Sequence, residues 1–246
     1  MTANKLIQNL NSNNIKKIKE ALEKIGDLNY KEAITPIFSL IDSSKNTEII
    51  DSAIWTLSRI ASPDQLIKLL DNRNKDIILF TIEALGRMEA KEIAGHIRKF
   101  LNDKDAEIRA MATWTAGKIG DIDSYSKIIE LLKFDKDPEV RSNAAWALKK
   151  LNILGSFEVL KNISEKETDE MVLYNINDAI QTLEANYGSI EPILSSKFYH
   201  CKLETPDCKN LKRKTIKFID QNISIEILIA DNCDKAKICS LKIKLN

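Results

Sequence analysis

Apolar and small residues recur along most of the chain with the period of an amphipathic helix, and the helical stripes themselves recur. In one clear instance Val140, Ala144, Ala147, Leu148 and Leu151 stand at offsets 0, 4, 7, 8 and 11. At about 100° per residue these offsets fall on one side of a helix. The same spacing opens at Ile49, Ile77, Ile108 and Val172, so that offset 8 is held by Leu57, Leu85, Ala116, Leu148 and Ile180. Leu22 extends the series toward the N-terminus, with 28 to 35 residues between successive members. A shorter amphipathic stretch follows each long one, as in YKEAITPIFSLID, DQLIKLLD, KEIAGHIRKFLN, DSYSKIIELLKF and SFEVLKNI. One helix pair cannot cover its own apolar stripe, whereas stacked pairs share a continuous core. The pattern therefore predicts an all-α, right-handed α-solenoid of about six helix pairs.

Punctuation along the chain agrees with that unit. Gly26-Asp27 and Gly120-Asp121 are expected to end first helices, and Asp137-Pro138 to open one, with Pro tolerated in a first turn. After Glu184 the period changes. ANYGSIEPILSS, with Gly188 and Pro192, reads as a connector. Beyond it apolar residues alternate with polar ones, at Tyr199, Cys201 and Leu203, at Ile216 and Phe218, from Ile223 to Ile229, and from Cys239 to Leu245. Period-2 alternation is the mark of half-buried strands. Residues 1–186 are thus assigned to the solenoid, 187–196 to a connector or cap, and 197–246 to a small C-terminal antiparallel β-sheet. That sheet is expected to have about four strands and to cover the open end of the array.

Two central repeats carry a family resemblance. DAEIRAMATWTAGKIGD supplies Asp105, Arg109, Gly117, Lys118, Ile119, Gly120 and Asp121, and DPEVRSNAAWALKKLN supplies Asp137, Pro138, Val140, Arg141, Ala144, Ala145, Ala147 and Leu148. This pattern resembles the HEAT-like repeat of the phycobilisome lyase type. Outer repeats depart from it, with Ile50 and Ile78 standing where Arg is the rule. The resemblance implies a binding scaffold whose first helices line a concave surface with offsets 2, 3, 6 and 10. Its lyase members imply an alternative, a bilin lyase or chromophore chaperone. The His-Glu pairs that iron-binding hydroxylases of similar architecture carry at offsets 2 and 3 are absent here, which argues against that activity.

Offsets 2, 3, 6 and 10 lie at about 200°, 300°, 240° and 280° around the helix, opposite the core stripe. All three tryptophans of the chain, Trp55, Trp114 and Trp146, stand at offset 6. Arg59, Arg87, Lys118 and Lys150 stand at offset 10, while Phe80, Met111, Asn143 and Tyr174 fall at offsets 2 and 3. Trp, Tyr and Arg concentrate binding energy at interfaces, so these residues form the expected ligand face, with a protein or peptide segment as the simplest occupant. The bases would pair acidic groups of that partner, or the propionates of a bilin. The competing reading makes the tryptophans gap-fillers between adjacent helices. Stacked nucleic-acid bases would also suit Trp beside Lys or Arg, but a formal net charge of +1 and the acids Glu83 and Asp178 weigh against it.

The remaining composition narrows little. A 43% hydrophobic, 30% charged chain is ordinary for a folded domain. No apolar run approaches the ~18 residues of a membrane span, so a cytoplasmic location without membrane contact is expected. Residues from Ile190 onward carry 11 Lys and Arg against 7 Asp and Glu, a basic tail behind a mildly acidic body. All four cysteines, Cys201, Cys208, Cys233 and Cys239, fall in that tail. Their spacing lacks the short knuckle usual for tetrahedral zinc, and Cys201 and Cys239 are in phase with the apolar strand face. Core thiols are therefore expected ahead of a structural zinc, and no cofactor is assigned. His96 and His200 are isolated from each other, no glycine-rich phosphate motif occurs, and the chain reads as a scaffold ahead of an enzyme.

Overall fold

Each long helix begins at a side-chain cap. In a computed structural model the chain is described at residues 3–153, 155–187, 211–217, 223–230 and 240–245, with side chains through residue 186. The first helices are α2 (Ile15–Asp27), α4 (Thr47–Ile60), α6 (Lys75–Arg87), α8 (Ala106–Ile119), α10 (Pro138–Leu151) and α12 (Glu170–Tyr187). Asn46, Asn74, Asp105 and Asp137, each three residues ahead of offset 0, accept hydrogen bonds from the opening backbone N–H groups of α4, α6, α8 and α10. Asp169 does the same for α12 through Met171 and Val172. Such caps satisfy donors that a helix cannot satisfy itself.

The second helices are α3 (Ile34–Ser43), α5 (Pro63–Leu66), α7 (Ala94–Arg98), α9 (Tyr125–Phe134) and α11 (Ser156–Ser164). Both α5 and α7 are short α-turns that continue as 3-10 helix, over Ile67–Asp71 and Lys99–Asn102. A further helix, α1 (Ala3–Leu10), packs on α2 and α3 ahead of the first full pair. Consecutive first helices contact one another from α2 through α12, forming one layer of the solenoid. Five complete pairs are therefore present among the described residues, flanked by α1 and α12.

The stripe predicted from the sequence is the core. Leu22, Leu57, Leu85, Ala116 and Leu148 at offset 8 are all fully buried. Ile180, at the end of the described array, is only partly so. One polar bond ties most repeat steps together. Thr56 Oγ1 donates to the Leu22 carbonyl at 3.3 Å, Thr115 Oγ1 to that of Ile82 at 3.1 Å, and Asn143 Nδ2 to that of Ala110 at 3.2 Å.

The arginines at offset 1 belong to this framework. Arg109 Nε and Nη2 donate to Asp135 at 2.8 and 2.9 Å, and its Nη1 to the carbonyls of Asp103 and Lys104. Arg141 repeats the arrangement with Glu167 and the carbonyls of Asp135 and Lys136. Each guanidinium thereby fastens the turn after a second helix to the loop that enters the first. Burial pushes the Asp135 carboxyl up, but hydrogen bonds from Arg109 and from the Asp137 backbone outweigh it and leave the group below its ordinary value. Arg98 and Asp121 form a third pair, to which Ser124 adds a short hydrogen bond onto Asp121.

Both glycine marks close first helices, but differently. Gly120 takes the left-handed conformation that ends α8, with φ of 71°. Gly26-Asp27 does close α2, which ends at Asp27, but the left-handed residue is Asn29, with φ of 48°, and not Gly26. Gly26 is buried within α2 instead, where a Cβ would stand 2.6 Å from Arg59 Nη1.

Beyond α12 the described backbone comprises β1 (Leu211–Lys217), β2 (Ile223–Ala230) and β3 (Ser240–Leu245), antiparallel in the order β1-β2-β3. Ile216 pairs with Ile225, and Ile225 with Ile243. Tyr187, where the connector was drawn, is the last residue of α12. The rest of that connector, the strand expected at 199–203, His200 and all four cysteines lie outside the described residues.

Candidate binding face

Offset 6 of the first helices builds a continuous ladder of rings and cations. The rings of Trp114 and Trp146, on α8 and α10, stack with centroids 5.9 Å apart and planes 21° from parallel. On α6 the ring position is taken by Glu83, and the gap is filled by Arg87 from the next turn. Its guanidinium lies 5.8 Å from the Trp55 ring and 6.0 Å from that of Trp114. Glu83 Oε1 holds it there, accepting from Nε and Nη2 at 2.9 and 2.8 Å. At the far end Lys150 Nζ lies 5.2 Å from the Trp146 ring. Trp55, Arg87, Trp114, Trp146 and Lys150 thus follow one another across α4, α6, α8 and α10, at separations where cation–π attraction operates.

Glycines seat two of the rings. Gly86 and Gly117 both occupy offset 9, one repeat ahead of Trp114 and Trp146. A Cβ on Gly86 would stand 2.8 Å from Trp114 Cζ3, and one on Gly117 would stand 3.3 Å from Trp146 Cζ3. Both tryptophans are consequently half-buried against the preceding helix. Trp55 is preceded at offset 9 by Glu23 rather than glycine, and 49% of its surface stays exposed. Glycine at offset 9 followed by Trp at the next offset 6 is a signal that the sequence carried and that inspection of single helices misses.

The bases at offset 10 are not idle. Arg59 pairs with Asp27 at 2.8 Å, Arg87 with Glu83, and Lys118 with Glu89 at 2.6 Å. Each of these three bases already has a carboxylate of its own chain, so meeting a partner's acids would be an exchange of pairs. Pairs this exposed contribute only about 0–1 kcal/mol, so a ligand can exchange them. Asn143 is likewise committed, to the Ala110 carbonyl. Met111 is half-buried, and Tyr174 stands apart on α12 with 67% of its surface exposed.

A groove lies beside the ladder, not under its centre. It encloses about 960 Å³ between α2, α4 and α6 and is lined by Trp55, Arg59, Phe80 and Arg87, together with Lys19, Glu23 and Asp51, which the repeat pattern did not single out. Trp114 and Trp146 do not line it. Among the described residues no cluster of three His, Cys, Asp or Glu side chains could hold a metal, and His96 is exposed. No helix among them is long and apolar enough to cross a membrane.

Stacked helix pairs with shared cores and repeat-to-repeat caps define an α-solenoid. The HEAT-repeat family model matches residues 3–78 and 63–149, and the chain belongs to that family, consistent with the phycobilisome lyase type of repeat read from its central units. No curated protein matches the chain. Among solved structures it is similar to YibA of Escherichia coli, at 22% identity over 74% of this chain and 67% of that one, with a TM-score of 0.52. It is also similar to an engineered protein, at 19% identity over 74% of this chain and 96% of that one, TM-score 0.47. The complex of CpcE and CpcF of phycocyanin lyase from Nostoc sp. PCC7120 is similar at 12% identity, over 74% of this chain and 95% of that one, TM-score 0.36. At these identities the YibA likeness speaks for the fold alone, and the other two likenesses carry no argument.

Proposed function

We propose that this protein is a binding scaffold that holds a segment of a partner protein along the ladder face, which forms the concave side of the solenoid. The observation that carries this reading is Trp55: a half-exposed indole at the edge of a sizeable groove, in line with two further tryptophans and two cations. Exposed aromatic surface beside a concavity is where interface energy concentrates. The half-buried Trp114 and Trp146 extend the same surface and hold adjacent repeats at a fixed separation. Residues 197–246 are proposed to form a separate small β-rich domain. The acids along the groove weigh against a phosphate backbone as the occupant.

The test compares wild type with Trp55→Ala and with Trp114→Ala/Trp146→Ala in affinity capture from native lysate, followed by measurement of affinity for the captured protein. Trp55→Ala is expected to weaken binding about 30-fold, or about 2 kcal/mol, with little change in melting temperature because the ring is half in solvent. The double variant is expected to lose binding and some stability, since its rings also fill the seats over Gly86 and Gly117. A partner bound equally well by folded Trp55→Ala and by the folded double variant would move the function off this face. Added bilin held with visible absorbance that Trp55→Ala abolishes would replace the peptide by a chromophore.

A further inference from the structure

The groove between α2, α4 and α6 carries charge that its internal pairs leave uncancelled. Three bases are answered by three acids: Lys19 by Glu48 at 3.2 Å, Arg59 by Asp27 at 2.8 Å and Arg87 by Glu83 at 2.8 Å. The rest of the ionisable lining is Glu20, Glu23 and Asp51 against Lys16 alone. None of these four makes an ion pair among the described residues. Partial burial, and then the neighbouring Glu83, push the largely exposed Asp51 carboxyl above its ordinary value, with Lys19 opposing them. A carboxylate in that position is stabilised by an added cation. The half-exposed indole of Trp55 lines the same groove as these acids, and it already attracts one guanidinium, that of Arg87. Beside it Phe80 supplies apolar wall. An aromatic face rimmed by unpaired acids is complementary to a long side chain with an apolar stem and a positive head.

We infer that the segment held in this groove is basic, with a lysine or arginine laid on Trp55 and its charge answered by Glu23 and Asp51. This rests on the scaffold reading above and adds the chemistry of the partner. The opposite polarity, in which the offset-10 bases receive an acidic segment, is less well served here, because Arg59 and Arg87 are already paired while the acids are not.

The full-length protein is used to select short peptides from an unbiased displayed library, and the enriched sequences are synthesised and measured by fluorescence polarisation. The same peptides are then measured against Trp55→Ala and against Glu23→Lys/Asp51→Lys, each checked for an unchanged melting temperature. Both positions are exposed, so charge reversal leaves the core intact. The expected result is enrichment of lysine and arginine, with affinity falling at least about tenfold in the charge-reversed variant and weakening as salt is raised. Enrichment of acidic or uncharged sequences overturns the inference. Peptides that are lost with Trp55→Ala yet kept by Glu23→Lys/Asp51→Lys also overturn it while leaving the groove reading standing. Peptides kept by both variants overturn the two together. A protein that enriches nothing and instead gains mass with concentration points to a second copy of this chain as the occupant and overturns the separate basic partner.

Discussion

Gly117→Ala is expected to destabilise the protein by about 3 kcal/mol, an unusual cost for one methyl group. The added Cβ would stand 2.6 Å from the Cα of Ala147 and 2.7 Å from its Cβ. Those atoms belong to the backbone and first side-chain carbon of α10, so no rotamer change relieves the clash and the two helices must move apart. Alanine favours a helix interior over glycine by about 1 kcal/mol, which offsets only part of the strain. The effect is also functional, because Trp146 Cζ3 lies 3.3 Å from the same point and would leave its stack on Trp114. Gly95→Ala is the control: nothing lies within 4 Å of its Cβ, and it is expected to stabilise by about 0.5–1 kcal/mol. Chemical denaturation followed by tryptophan fluorescence measures both. Equal stability of Gly117→Ala and wild type would mean that α8 and α10 do not approach as closely as described.

Much of the framework was legible because it repeats at short range. Offsets 0, 4, 7, 8 and 11 recover the buried stripe from Ile49 to Leu148, and the Asp or Asn three residues ahead of offset 0 marks the helix start in five repeats. The ring positions were legible for the same reason, since offset 6 follows from the helical angle alone. What a single-helix periodicity cannot show is the neighbour. Arg109 and Arg141 were visible as repeat consensus, but their partners Asp135 and Glu167 lie 26 residues further on, in turns without a periodic signature. Arg59 and Lys118 looked available because Asp27 and Glu89 belong to the preceding repeat. The groove is a matter of shape: it opens where the pattern is weakest, between α2, α4 and α6, and there Asp51 and Glu23 stand at offsets that elsewhere hold Ser142 and Gly117.

Acid is expected to loosen the fourth and fifth repeats through the pairs made by their offset-1 arginines, Arg109 and Arg141. Hydrogen bonds from Arg141 hold the Glu167 carboxyl down, from its usual 4.5 to about 2, against the opposing effect of burial. A carboxyl lowered by folding contributes its full stabilisation above the unfolded value and loses it as pH falls through the folded one. For Glu167 the contribution is complete above about pH 4.5, amounts to at most about 3 kcal/mol, and disappears as pH falls toward about 2. The Asp135 carboxyl, also lowered, acts in the same direction. Arg141→Ala is expected to cost about 3–5 kcal/mol at neutral pH, because Glu167, with its side chain 7% exposed, is left with an unanswered charge. Glu167→Gln should cost less, since the amide oxygen can keep the bonds that Oε1 accepts from Arg141 Nη2, Thr168 N and Asp169 N, and only the bond that Oε2 accepts from Arg141 Nε is lost. The discriminating measurement is the stability difference between wild type and Glu167→Gln at neutral pH and near pH 3. The difference should shrink in acid, because near pH 3 Glu167 is protonated in the unfolded chain while it stays largely ionised in the folded one. A difference of the same size at both pH values would show that the pair contributes geometry and not charge. Ile50 and Ile78 replace these arginines in the second and third repeats, so the half of the array that frames the groove lacks the fastening. The stack of Trp114 on Trp146 therefore lies in the fastened half of the array and the groove at Trp55 in the half without the fastening.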